Sequence, residues 1–322
     1  MVKSTTVGSC PKLSDDPSAP SLRNVLHRYD RGVATREDVD DVVLATTARV
    51  VREQKDAGID IVTDGQIRWE DLISPLGRGI RGTESGGLLR YFDNNVYFRR
   101  TICSPPMVWS GPQTMDDWAH AASTVDTPVK AVLPGPVTAA SLSVDEVFED
   151  RREFALSWAD VIRSEALSLQ EAGAPMIQLD EPWLSAHPED LTLAREALPI
   201  ATEGLRVPTV LALYFGDVLS IWNELQELPV SALHVDVVSS TATRKKVLDS
   251  GCGKDLIYGV VDARNTRLEL EDDVLRDIET LSSKVSGELY VAPSCGLEFL
   301  PYDRYLRKLD LIGRIAKRAN RE

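Results

Sequence analysis

Gln178-Leu179-Asp180-Glu181-Pro182 is the sharpest chemical feature of the chain. Two adjacent carboxylates follow an apolar run, and Pro182 fixes the exit. Neighbouring residues on a strand point to opposite faces, so one acid can take an ammonium while the other braces a nearby loop. An acid pair serving a helix N-terminus is the competing reading. His234 and Asp236 share a strand face by their spacing of two, and with Cys295 they make a candidate metal-ligand set. No short-range ligand motif supports that set, and a histidine satisfied within the core is the plainer reading of His234. Cys10 lies between Ser9 and Pro11, and no neighbouring base marks it as a nucleophile. Arg68, Arg264 and Arg267 are placed to meet a carboxylate-bearing ligand, with surface ion pairs as the alternative.

These residues sit at the ends of predicted strands. Runs near 3–8, 59–63, 129–133, 175–179, 208–213, 231–236, 256–261 and 288–292 read as eight strands. Several are almost wholly apolar, as in parallel strands buried on both faces. Amphipathic helices alternate with them. Thr35 and Asp38 form an acidic capping box ahead of Val39, Val42, Val43, Val50 and Val51, and Gly58 ends that helix. Phe154, Trp158, Val161, Ile162 and Leu169 mark a second apolar stripe, stopped by Gly173. Val218, Ile221, Trp222 and Leu225 mark a third, and Leu306, Leu309 and Ile312 the last. The count predicts an α/β fold, a TIM (β/α)8 barrel spanning 1–322 as a single domain. A doubly wound sheet would carry a Gly-rich phosphate turn, and no GxGxxG follows any strand.

An insertion at about 64–128, between the second strand and second helix, breaks the alternation. It is rich in glycine, and 88–102 reads as a hairpin standing over the mouth as a lid. Barrel sites lie at the C-terminal strand ends. There the chain places polar and small residues: Gly8 to Pro11, Asp64 to Gln66, Gln178 to Pro182, His234 to Asp236 and Ser294 to Gly296.

Lys+Arg number 36 against 50 Asp+Glu, a net charge of −14. That balance argues against a nucleic-acid binder, which needs a basic face. No apolar run approaches the ~18–20 residues of a membrane span. The N-terminus has no signal-peptide pattern, and the four cysteines are scattered. Reduced thiols and a cytoplasmic location are expected.

The strand tips resemble the cobalamin-independent methionine synthase family. The resemblance is carried by 6–11 (TVGSCP), 57–66 (AGIDIVTDGQ), 133–138 (LPGPVT), 177–182 (IQLDEP) and 292–297 (APSCGL), in matching order from end to end. It implies a barrel that passes a methyl group from methyl-tetrahydrofolate or methylcobalamin to the thiol of homocysteine, giving methionine. By the family's pattern, Ser9, Asp180 and Gln66 match substrate-site positions, and Gln178, Glu181 and Tyr214 join them as candidate substrate-binding residues. Asp180, Asp236 and Asn265 would be catalytic. Cys295 matches the last zinc cysteine, and Asp236 stands for a zinc glutamate, with Cys10 and His234 as the substitutes within reach. Leu213 and Phe215 replace the family's His-x-Cys ligands, so the implied zinc site is incomplete.

Tyr214-Phe215, 228–230 (LPV), 233–238 (LHVDVV) and Arg264-Asn265 look more like the zinc-free N-terminal barrel of the long enzymes. That half points to a folate- or methyl-donor-binding barrel working with a separate zinc-barrel protein. A corrinoid protein is the alternative partner. Trp69, Trp109, Trp183 and Tyr214 could stack on a pterin. A thiol transferase using another electrophile, or a barrel of the related uroporphyrinogen decarboxylase type, shares the fold.

Overall fold

The computed structural model describes residues 1–15, 19–92, 97–146, 148 and 150–321. The chain opens with β1 (Val2–Ser4), α1 (Leu22–Asp30) and α2 (Arg36–Asp56). A short α3 (Ser74–Gly77) leads into a hairpin of β2 (Ile80–Arg90) and β3 (Tyr97–Trp109), then α4 (Met115–Thr124). Next come β4 (Ala131–Pro134), α5 (Pro136–Leu142), β5 (Val144–Asp145), α6 (Arg151–Glu171) and β6 (Ile177–Asp180). They are followed by α7 (Pro182–Ala186), α8 (Leu191–Thr202), β7 (Thr209–Leu213), α9 (Trp222–Leu225) and β8 (Ala232–Asp236). The chain closes with α10 (Thr241–Ser250), β9 (Asp255–Val261), α11 (Glu271–Ser282), β10 (Leu289–Pro293) and α12 (Tyr302–Ala319).

Seven strands form a parallel sheet in the order β1-β10-β9-β8-β7-β6-β4. The ring closes through the segment expected as the second strand. There Ile61 bridges Thr5 and Val62 bridges Val129, both parallel. The result is the expected TIM barrel, with one stave reduced to two bridges. Its shortness has a cause in α2. Gln54 accepts from the Thr63 N–H at 3.0 Å and donates to the Thr63 carbonyl at 2.9 Å. A buried side chain thus satisfies the backbone that a longer ladder would have used.

Thr35 and Asp38 form the full capping box, and Gly58 takes φ +80° after the helix, as a C′ residue should. The stripe from Phe154 becomes α6, with its apolar residues buried between barrel and solvent. The stripe at Val218 yields less than expected: a 3-10 turn at Leu219–Ile221 and the single turn α9. Pro229, four residues beyond α9, cannot continue a helix.

The insertion carries α3, the hairpin and α4. The hairpin is longer than the expected 88–102 and pairs antiparallel from Ile80↔Trp109 to Arg90↔Tyr97. Its second strand also pairs in parallel with β5, Ile102 opposite Val144 and Cys103 opposite Asp145. Among the described residues no helix is long and apolar enough to cross a membrane.

Candidate functional site

β6 delivers both carboxylates to the barrel mouth and turns them in different directions. Asp180 faces a cavity of about 590 Å³ that is partly open to solvent. Its Oδ1 accepts from Gln178 Nε2 at 2.7 Å and its Oδ2 from the Tyr214 hydroxyl at 2.9 Å. Asp180 is only 2% exposed, and it joins none of the ion pairs made by described residues. Burial raises its pKa to about 7, against the pull of Gln178, Tyr214 and Lys130.

Glu181 has the other task. Its Oε1 accepts from the Val137 N–H, and its Oε2 from the Thr138 N–H and Thr138 hydroxyl, all at 2.6–2.8 Å. It therefore holds the start of α5, and it does not line the cavity. Gly135 is needed beside it, because an added Cβ would lie 2.2 Å from Glu181 Cγ. The expected substrate role of Glu181 is corrected to bracing. Gln178 is corrected likewise: it lies wholly buried beneath the cavity and orients Asp180.

Ser9, Gln66 and Tyr214 line the cavity. Gln66 sits at φ +50° with its Nε2 buried and without a partner. Gly8 leaves room for it, since a Cβ there would lie 2.8 Å from Gln66 Oε1. Trp69 joins the lining, whereas Trp109 donates to Glu165 and Trp183 stacks on His187. Arg68 is spent on Asp40 and Asp117.

Asn265 is exposed and accepts from the Arg267 N–H at 2.9 Å, away from the cavity. Its expected catalytic role has no geometric support: its carboxamide shapes its own turn. Sequence reasoning missed Tyr91, Glu298 and Phe299, which also line the site. Tyr91 arrives from the hairpin, and no local motif could have found it. Glu298 lies three residues past Cys295, so its place at a strand exit was a usable signal.

Phe215 covers one wall. It holds φ +68°, a left-handed conformation unusual for a bulky residue. Around it lie Tyr91, Phe92, Tyr214 and Phe299, with ring centroids 4.7–6.0 Å away, and the Arg264 guanidinium at 5.3 Å. Tyr91 and Phe92 belong to the hairpin end, so Phe215 is where the insertion docks on the barrel.

A sequence model of the cobalamin-independent synthase catalytic domain matches residues 2–318. The chain belongs to this family. A methionine synthase of Pyrococcus abyssi is 29% identical over 289 residues, covering 88% of this chain and 85% of its own. One from Sulfolobus acidocaldarius is 26% identical over 311 residues, covering 96% and 89%. Among solved structures, a B12-independent methionine synthase from Shewanella sp. W3-18-1, in complex with selenomethionine, superposes with a TM-score of 0.83 at 19% identity. That match covers 100% of this chain and 98% of the other. A methyltransferase from Methanosarcina mazei has the same fold at a TM-score of 0.65 and 15% identity, covering 97% and 94%.

Family membership implies zinc, and the donor set does not fit it. Asp236 is saturated: Oδ1 accepts from the Val238 and Ser239 N–H groups, and Oδ2 from the Ser239 hydroxyl and Phe215 N–H. The Cys295 thiol points at the Gly296 carbonyl, 3.5 Å away, and burial pushes its pKa well up. Cys10 turns away toward Tyr305 and Gly65, and burial raises its thiol to about 12. His234 bonds the Pro293 carbonyl at 2.9 Å inside the barrel, and burial lowers it to about 4. Among the described residues no three His, Cys, Asp or Glu converge on one point. The candidate ligands Cys295, Asp236, Cys10 and His234 are thus not brought together. Leu213 and Phe215, which the resemblance sets against a His-x-Cys pair, carry no donor atom in their side chains.

Proposed function

We propose that the cavity binds the amino-acid end of homocysteine and of methionine, and that the chain serves methyl transfer between a donor and that sulfur. One observation carries this reading: a buried, doubly oriented carboxylate, Asp180, faces the cavity with no cation bonded to it. An α-ammonium supplies the missing charge partner. In the transfer the thiol gives up its proton, a sulfur electron pair forms the new S–CH3 bond, and the donor keeps the pair of the bond that breaks: the folate nitrogen takes up a proton, or the corrinoid leaves as cobalt(I) and the proton goes to solvent. Methyl-tetrahydrofolate or methylcobalamin is the donor class, and Trp69 and Tyr214 offer it aromatic faces at the mouth. Ser9 and Gln66 complete the polar lining for the substrate. The work of these residues is to bind and orient, and no step is assigned to a metal.

The filled valences of Asp236 and the aromatic ring of Phe215 favour a second reading. The barrel would hold the donor and an amino acid while a separate zinc-barrel protein activates the thiol. A corrinoid protein is the corresponding partner for methylcobalamin. Titration calorimetry with L-methionine and L-homocysteine, followed by a methyl-transfer assay with each donor, separates the two readings. Turnover by the chain alone supports the first. Binding without turnover, restored by a zinc-barrel protein, supports the second. Failure to bind either amino acid refutes both.

A further inference from the structure

Two carboxylates of the cavity stand on opposite sides of the barrel. Asp180 ends β6, and Glu298 follows β10. One way around the ring these strands are separated by β7, β8 and β9, and the other way by β1, the bridged second stave and β4. They also differ in depth: Asp180 is buried, whereas Glu298 is exposed at the rim. The other two acids of the lining are spent. Glu70 pairs with Arg78 at 2.9 Å, and Asp71 accepts from the Ile73 and Ser74 N–H groups at the start of α3. Asp180 and Glu298 join none of the ion pairs made by described residues, and among those residues no Lys, Arg or His lines the cavity. Lys12, whose charge Glu298 feels, donates to the Trp69 carbonyl and lies outside the lining.

Aromatic residues make much of the remaining wall: Trp69, Tyr91, Tyr214, Phe215 and Phe299. Tyr91, Tyr214 and Phe299 meet Phe215 at interplanar angles of 72–87°, so these rings form corners and not a stack. Ring faces attract cations. The cluster already holds one from outside the lining, the Arg264 guanidinium 5.3 Å from the Phe215 centroid. One amino acid can bring an ammonium to only one of the two free carboxylates, while a pair can serve both. The α-carboxylate of the inner one has Gln66 Nε2 as a buried donor without a partner, and that of the outer one meets solvent.

We propose that the cavity accepts an S-methylsulfonium amino acid as a further methyl donor, with its ammonium at Glu298 and its sulfonium among the aromatic rings, facing an acceptor thiol whose own ammonium is at Asp180. This rests on the reading that Asp180 receives the acceptor's ammonium. A lone pair of the thiol sulfur forms the new S–CH3 bond, and the thiol proton passes to solvent. The pair of the breaking C–S bond stays on the donor sulfur. The sulfonium thereby becomes a neutral thioether and needs no proton on leaving. With homocysteine as acceptor and S-methyl-L-methionine as donor, both products are methionine.

The test incubates the protein with isotopically labelled L-homocysteine and unlabelled S-methyl-L-methionine, read by mass spectrometry. Labelled and unlabelled methionine should appear in equal amounts. Glu298→Gln should raise the donor's KM about fivefold, the worth of an exposed ion pair, and leave the KM for L-homocysteine unchanged. Phe299→Leu should raise the donor's KM about threefold through a lost cation–π contact. A merely structural role for Glu298 would move both KM values together. No labelled methionine above the protein-free rate, or a donor KM unmoved by Glu298→Gln, overturns the proposal. Calorimetry with L-methionine reads the acceptor site separately. Protein that binds L-methionine but does not use the sulfonium refutes this donor alone, whereas protein that binds no L-methionine refutes the ligand assigned to Asp180.

Discussion

Replacing Asp180 by Asn separates its two opposing effects. In the free protein the carboxylate is a burden: burial moves its pKa from 3.8 to about 7. A raised carboxyl pKa contributes stability that is full below the unfolded value and is lost as pH rises through the folded one. The shift spans about three units, on the order of 4 kcal/mol of destabilisation by about pH 8. At that pH the wild type carries the buried charge, whereas Asp180→Asn removes the charge and keeps the shape. The variant's urea midpoint should therefore match or exceed that of wild type at about pH 8, and the two should converge near pH 4. Ligand binding should move the other way. Losing one partner of a desolvated charge pair costs ~2–5 kcal/mol, so L-methionine should bind at least ~30-fold more weakly by calorimetry. A variant that binds within about threefold of wild type would refute the reasoning. So would a variant that loses stability at about pH 8, since Asp180 would then be a structural partner and not a waiting charge.

Glu181→Gln leaves both bracing positions occupied but halves the acceptor capacity at α5; it should cost ~1–3 kcal/mol in denaturant unfolding, and an unchanged midpoint would count against the brace. Phe215→Ala removes the ring on which the hairpin docks; aromatic pairs contribute ~0.5–1.5 kcal/mol each, so amide exchange across 80–109 should quicken, and unaltered exchange would refute the docking role. Purified, dialysed protein should hold well under one zinc per chain by elemental analysis; tight stoichiometric zinc would show that Asp236 and Cys295 can be freed. Bound L-methionine should slow exchange in the hairpin, and equal protection with and without it would exclude a lid.

The barrel was legible because its signal is repeated. Apolar runs such as 256–261 can be buried only between layers, and the caps at Thr35 and Gly58 mark their helix from local chemistry alone. The second stave was less legible, since its ladder is replaced by Gln54, a residue on the preceding helix that reads as any helical glutamine. At the site, the opposite aims of Asp180 and Glu181 follow from strand alternation. Which of them faces the cavity depended on α5, and so on tertiary structure. Asn265 and Cys10 were misplaced for a related reason: a strand end specifies a neighbourhood, while the turn after it sets where a side chain points. Tyr91 and Phe299 were out of reach, because an aromatic residue in a loop carries no periodic mark of its target.

The parallel pairing of β3 with β5 has a mechanical consequence. β5 begins two residues after α5, and α5 is anchored at its start by Glu181, the immediate neighbour of Asp180. The hairpin touches the mouth at its tip through Tyr91, Phe92 and Phe215, and midway along its second strand it is stitched to this α5–β5 segment. The insertion is therefore a lever with two bearings, not a flap on a single hinge. Displacing its tip loads a short path that ends at the peptide joining the two carboxylates. Sequence changes far out on the hairpin would in this way retune the aim of Asp180 without altering any residue that meets the ligand.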